Sequence, residues 1–299
     1  MTLKKLLRRI LLALAFLLLL SVIGIGLFAY KAKNGFPSYE TAKPNVTINE
    51  DQVAILLFSK TTAFRHGAAI SSAKQMFDSL ARAKNWFLYE TEEGGIFNEE
   101  QLQAFDLVIW NNSTGPVLND DQRAVFEKYL LNGGGYLGIH GSGDFSHKWS
   151  FYTDSIICAD FSHHPIKNQI QKATIYLDDE VDSTWTIPPV WAHEDEWYVF
   201  HNNPQEKGAE ILYWLDGNKI DPSGNLLFIR DKDFGMGSKH PVAWSKNLGE
   251  GKVFYTSIGH TAVTFTNKNV INMMITAVEN TRRKDPGIEE ATDGESSVD

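Results

Sequence analysis

The stretch "NGGGYLGIHGSGD", Asn132 to Asp144, decides the fold. Three glycines lead into the apolar run Tyr136-Leu137-Gly138-Ile139, and His140 stands where that run meets a second glycine turn. A strand that runs into a sharp bend, with one polar side chain raised at it, is how α/β enzymes present a nucleophile. The residue raised here is a histidine, neither serine nor cysteine. The elbow therefore predicts a functional strand end and leaves its chemistry open.

Upstream of the elbow, strand and helix alternate. "VAILLFS" (Val53 to Ser59) reads as a buried strand, and Ile70, Ala73, Met76, Phe77 and Leu80 follow at helical spacing. "WFLYE" is a second strand, Asn98 opens a short helix, and "LVIWNN" (Leu107 to Asn112) is a third strand. Asn119 caps a helix carrying Val125, Phe126, Tyr129 and Leu130, which stops at Asn132-Gly133. Such alternation with short connections predicts an α/β protein with a doubly wound, mostly parallel sheet. Ligands of such sheets bind at the carboxyl ends of the strands. Downstream, "ATIYL", "EWYVF", "EILYWL", "PVAWS" and "GKVFYTSIG" read as extra strands. Asn267 caps a last helix with Val270, Ile271, Met274, Ile275 and Val278.

The 299 residues, 43% hydrophobic, suffice for one large core, or at most two domains. A formal charge of -9 repels phosphate backbones, so no nucleic-acid partner is expected. The single cysteine, Cys158, excludes an internal disulfide and a Cys-rich zinc knuckle. It lies in "FYTDSIICADF", where helical apolar spacing makes it a packed residue.

Lys4, Lys5, Arg8 and Arg9 precede an uncharged run from Ile10 to Ala29. At 1.5 Å per residue this run matches the roughly 30 Å hydrocarbon core of a bilayer. The basic flank should stay in the cytoplasm, which makes the rest extracytoplasmic, periplasmic in a Gram-negative cell. A cleaved signal peptide is the rival reading. The small-x-small site Gly24-Ile25-Gly26 is embedded in apolar residues, and no cysteine directly follows the run to carry a lipid. A single uncleaved N-terminal pass is favoured. The expected layout is an anchor over residues 1–30, a polar tether over 31–51, a globular domain over 52–280 and a disordered acidic tail over 281–299.

Polar residues gather at the ends of the apolar runs. They are Arg65 and His66, His140 and Asp144, His163 and His164, Glu194 to Glu196, His240 and His260. One histidine at a strand end is an ordinary structural residue, but several converging on one sheet edge suit acid–base work. None has an H-E-x-x-H spacing, so a divalent metal such as zinc on His140, His164 and His260 stays an open alternative, and the cofactor is otherwise unassigned. Trp149, Tyr152 and Trp244 lie near these positions, and aromatic faces beside polar groups suit sugars. Ordinary core packing is the competing reading for each of them.

"FSKTTAFRHGAAI", "GGGYLGIHGSGDFSHKWSFY", His164-Pro165, "DEWYVF", "HPVAW" and "GKVFYTSIGHT" occur in an order that resembles the ThuA-like (trehalose utilisation) family, over Val53 to about Val278. The resemblance implies a class I glutamine-amidotransferase-like, flavodoxin-like sheet and a role in carbohydrate metabolism. Amidotransferases carry "GIC" at the elbow and a later histidine followed two residues on by glutamate. Here "GIH" puts His140 in the nucleophile's place, and "GHTA" keeps His260 with Ala262 where the glutamate would be. A thiolate nucleophile needs a cysteine beside a base, so glutaminase chemistry is rejected while the fold is kept.

Two readings of function follow. In the first, a membrane-tethered enzyme, a hydrolase, lyase or isomerase, acts on a sugar or oxidised sugar. His140 and His260 are its acid–base pair, and Asp144 or Glu196 orients an imidazole. Arg65, His66, Trp149, Tyr152, His164, His240 and Trp244 are its expected substrate contacts, with Trp149 and Trp244 foremost at the pocket rim. In the second, the domain is a non-catalytic carbohydrate-binding or sensor module. The expected partners are a small sugar and the membrane, with a homo-oligomer left open.

Overall fold

A computed structural model describes residues 2–49, 51–181, 184–185, 188–224 and 237–284. The chain starts with α1 (Leu3–Asn34), which buries no residue and is long and apolar enough to cross a membrane. Its 32 residues span about 48 Å.

Residues 35–49 are docked on the domain, where the polar composition had predicted a tether. Phe36 N donates to Thr62 O (2.9 Å), Lys60 pairs with Glu40, and Gln122 Nε2 donates to Glu40 O (2.7 Å). Gln101 Nε2 reaches Pro44 O (2.6 Å). Gly95 lets this strap approach: a Cβ there would stand 1.9 Å from Ala42 O. The strap is polar because its bonds are polar, which composition alone reads as a linker.

The apolar runs form the centre of one sheet. Its parallel strands are β1 (Ala54–Phe58), β2 (Phe87–Thr91), β3 (Leu107–Asn111), β4 (Gly135–Ile139) and, late in the chain, β11 (Gly251–Thr256). Between β4 and β11 the chain adds β6 (Ile170–Leu177), β7 (Val190–Glu196), β9 (Glu210–Asp216) and β10 (Lys239–Leu248), all paired antiparallel. The order is β2-β1-β3-β4-β11-β10-β9-β6-β7. A short ladder pairs β5 (Phe161–His163) with β8 (Val199–Phe200).

Alternate residues of each central strand face opposite cores. Ile55, Leu57, Ile109 and Ile139 pack with α2 (Gly67–Lys84) and α4 (Lys268–Thr281), whereas Leu56, Phe58, Trp110 and Tyr136 pack with α3 (Asp120–Leu131). The sheet is thus covered on both faces. Asn119 caps α3 in a capping box with Gln122, and Asn267 caps α4.

Three local expectations change. "EWYVF" is not one strand: β7 ends at Glu196 and β8 resumes at Val199 in the other ladder. Cys158 follows a π-helical turn, Tyr152–Ile157, in place of a regular helix. Asn98 accepts Gln101 N (3.1 Å) and opens only a short 3-10 turn, Leu102–Ala104. The predicted acidic tail lies, from residue 285 on, outside the described residues.

Candidate functional site

The elbow is held from the neighbouring strand. His140 adopts a left-handed backbone (φ 42°), a conformation costly for a side chain with a Cβ. Tyr255 Oη donates to its carbonyl (2.9 Å), and its Nδ1 lies 2.6 Å from Ser257 O. A carbonyl only accepts, so Nδ1 carries a hydrogen. Nε2 faces Glu196 Oε2 at 3.2 Å and His260 Nδ1 at 3.2 Å.

His260 arrives from the turn after β11. Gly259 makes that turn possible with φ 143°, and a Cβ there would stand 2.7 Å from Ile139 Cγ2. Buried Asp195 fixes the same turn by accepting Gly259 N (2.8 Å), His260 N (3.1 Å) and Thr264 Oγ1 (3.0 Å). Sequence reading gave Asp195 no separate role. Its signal was burial alternating along β7, where His193 and Asp195 turn inward and Glu194 outward.

Glu196, at the end of β7, joins the groups together. Its Oε2 meets His140 and His260 (3.1 Å), and its Oε1 meets His164 Nδ1 (3.1 Å) and accepts from Gln169 Nε2 (2.6 Å). Burial alone would raise its pKa, but hydrogen bonds with His140 and His260 and the charges of His140 and His164 reverse that and hold it below the carboxylate range. Burial likewise opposes protonation of His260, yet bonding to Glu196 wins and raises its pKa.

His66 enters from the loop before α2, with its ring edge-on to His140 and His260 (centroids 4.9 and 5.1 Å). Burial, then the charges of His140 and His260, push its pKa down to about 2. Its Nδ1 is buried and has no hydrogen-bond partner among the described residues.

One ligand atom from each of His66, His140, Glu196 and His260 lies within 4.8 Å of the others. Three nitrogens and a carboxylate oxygen are a donor set suited to a divalent ion such as zinc. His140 is oriented for it, donating its far ring hydrogen to a carbonyl. His164 is not in this set. It binds the opposite oxygen of Glu196 and is 38% exposed at its side chain.

The cluster floors a cavity of about 370 Å³ walled by His66, Asp144, His164, Gln169, Glu196, Tyr198 and His260. His140 sits behind this floor, fully buried. Asp144 reaches the cavity but touches no imidazole. It accepts Ser146 N (2.8 Å) and the Ser146 hydroxyl, and burial pushes its carboxyl up to about 7.

Five expected contacts fall away from the cavity. Arg65 turns to Glu92 (2.7 and 3.0 Å). Trp149 donates to Glu127 (2.9 Å) and stacks on Tyr152, which is buried against Tyr136. Trp244 is buried and donates to Ile157 O (2.7 Å). All three aromatics fill the core on the α3 face, since their strand and turn registers point them inward. His240, neutral because burial lowers it to about 4, holds Tyr198 O (2.9 Å) and so steadies the Tyr198 ring 4.1 Å from His140. The aromatics at the cavity are instead Phe64, Phe145, Phe161 and Tyr198. Cys158 is buried at a distance in the core, and burial pushes its thiol up.

The family model for trehalose utilisation, ThuA, matches residues 54–281. No curated protein matches the chain. Among solved structures, a ThuA-like protein from Bacteroides uniformis ATCC 8492 is similar at TM-score 0.62 and 20% identity, covering 81% of this chain and 94% of that one. A second, from Parabacteroides merdae ATCC 43184, aligns at TM-score 0.53 and 17% identity over 79% and 94%. A cytoplasmic protein from Salmonella typhimurium LT2 aligns at TM-score 0.52 and 10% identity over 77% and 100%. At these identities the structures show a shared fold.

Proposed function

The chain belongs to the ThuA (trehalose utilisation) family, and from that premise we propose that it is a membrane-tethered, extracytoplasmic enzyme performing acid–base chemistry on a sugar or oxidised sugar. The observation that carries this is the buried Glu196 carboxylate bonded to three imidazoles at the floor of a cavity. Neighbouring titratable groups pushed in opposite directions mark acid and acceptor roles. Glu196 favours the protonated form of His260, whose Nδ1 hydrogen is held inward by Glu196, so the other ring nitrogen is the proton donor to the substrate at the cavity wall. His140 Nε2, 3.2 Å from His260 Nδ1, positions that ring from behind. His66 stays neutral and accepts a substrate hydroxyl. A divalent ion held by His66, His140, Glu196 and His260 would supply Lewis-acid polarisation of a sugar oxygen. A binding module is disfavoured because a buried charged cluster costs stability and is not needed to hold a sugar.

The test is Glu196→Gln in the full chain, assayed on a panel of glycosides and oxidised glycosides. The expected result is a fall in kcat of about 10²–10⁴ with affinity unchanged within a few-fold. Unchanged kcat, or no turnover of any sugar by the parent protein, defeats the enzyme reading.

A further inference from the structure

Ala29 lies at the end of the apolar run in α1, two residues before Lys31, and it is also a wall residue of the cavity above Glu196. We propose that the substrate is the sugar headgroup of a membrane lipid, drawn into the site from the leaflet that α1 leaves. This rests on reading α1 as a membrane anchor and the cavity as a sugar site.

Depth comes first. A bilayer's apolar core takes up about 20 helical residues, and each headgroup layer adds about 5–8 Å. Ala29, Ala32 and Lys33 all wall the cavity. From Ala29 to Lys33 is about 6 Å of helix, so this wall stands in the headgroup layer. The placement is fixed by the docked strap, which begins one turn later. Gly35 N is bonded to Lys31 O (2.8 Å) and Phe36 N to Thr62 O (2.9 Å).

Polarity comes second. The floor is imidazole and carboxylate, whereas the outer wall is Ala29, Ala32, Phe64, Phe145 and Phe161. Phe64 and Phe145 are 44% and 36% exposed, and Lys33 and Lys148 lie over the Phe145 ring at 5.9 and 5.2 Å. A polar floor under an apolar, lysine-edged mouth fits an amphiphile with its head down and its chains in the bilayer. Tyr30 stacked on Phe36 (5.8 Å) adds the aromatic pair expected at an interface.

The experiment uses the full chain in vesicles of phosphatidylethanolamine and phosphatidylglycerol, some doped with a doxyl-labelled lipid. Carbonate washing comes first; a chain that washes off fails as an anchored protein, and the proposal falls with it. On a Cys158→Ala background, a fluorophore at Phe145→Cys should be quenched by the doxyl lipid and one at Glu250→Cys, in the turn before β11, should not. A retained chain with equal quenching at both positions overturns the proposal alone. The unmodified chain gives the second reading, by hydrogen exchange with glucosyl or galactosyl diacylglycerol in the vesicle, or with free glucose or galactose. Slower exchange around residues 29–36 and 64–66 with a lipid and not with free sugar supports the proposal. Equal protection by free sugar, or none by either lipid, overturns it.

Discussion

Glu196 Oε2 stands 3.2 Å from His140 Nε2, and both side chains are sealed from solvent. A carboxylate has no hydrogen to give, and the His140 hydrogen is committed to Ser257 O on the far side of the ring. The contact is attractive when a cation sits in it: a second proton on the His140 ring, or a metal ion.

Zinc added to the chelator-treated chain should therefore raise its unfolding temperature, by an amount that grows with the zinc concentration. At a hundredfold excess over Kd the stabilisation is about 2.7 kcal/mol. Calorimetry on His66→Ala and His260→Ala should show most of that rise lost, while His164→Ala keeps it. A rise that depends on His164 and not on His66 would assign the site differently.

Asp144 sets a pH dependence. Burial raises its carboxyl from 3.8 to about 7, so the folded chain holds a proton that the unfolded chain releases. Its contribution is complete below pH 3.8 and is lost as pH rises through about 7. Each pH unit in that window is worth at most about 1.4 kcal/mol. Asp144→Asn should flatten this fall in denaturant titrations run across the window. An unchanged slope would show that Asp144 titrates normally.

The docked strap makes Gly95→Ala informative. The new methyl would meet Ala42 O at 1.9 Å, so the backbone must part there. The expected cost is about 1–3 kcal/mol, with new protease cleavage between residues 36 and 49. Parent-like resistance to protease would mean that the strap is not held at this point.

Glutamine should not be hydrolysed, and thiol alkylation should leave sugar-directed turnover intact. Cys158 is fully buried in the core and its thiol is raised by burial. Glutamine hydrolysis lost on treatment with iodoacetamide would contradict this.

The parallel half of the sheet was legible because β1, β3 and β4 are covered on both faces and so read as apolar runs. The elbow was legible because the glycines around His140 leave few alternatives. The edge was harder. β7 is "VWAHEDE", whose inward residues are Trp191, His193 and Asp195, so the polar ones look like a solvated strand start until partners are seen. His66 and Glu196 meet across 130 residues, and no local pattern reports such a meeting. The places of Trp149 and Trp244 were not legible, because nearness to polar residues in sequence does not fix the face a side chain takes. On a strand the face is set by parity, and Trp244 has the parity of the α3 core.

β7 closes the antiparallel end of the sheet, five places from β4, yet its last residue touches the histidine that directly follows β4. An edge strand held by one neighbour is ordinarily the first part of a sheet to open in local unfolding. Here that opening would pull Glu196 out of the cluster and leave three imidazoles without their counter-charge. Whatever fills the cluster therefore acts as a clasp on the β6–β7 hairpin. Amide exchange along Val190–Glu196 becomes a gauge of occupancy, slow when the site is filled and fast when it is empty.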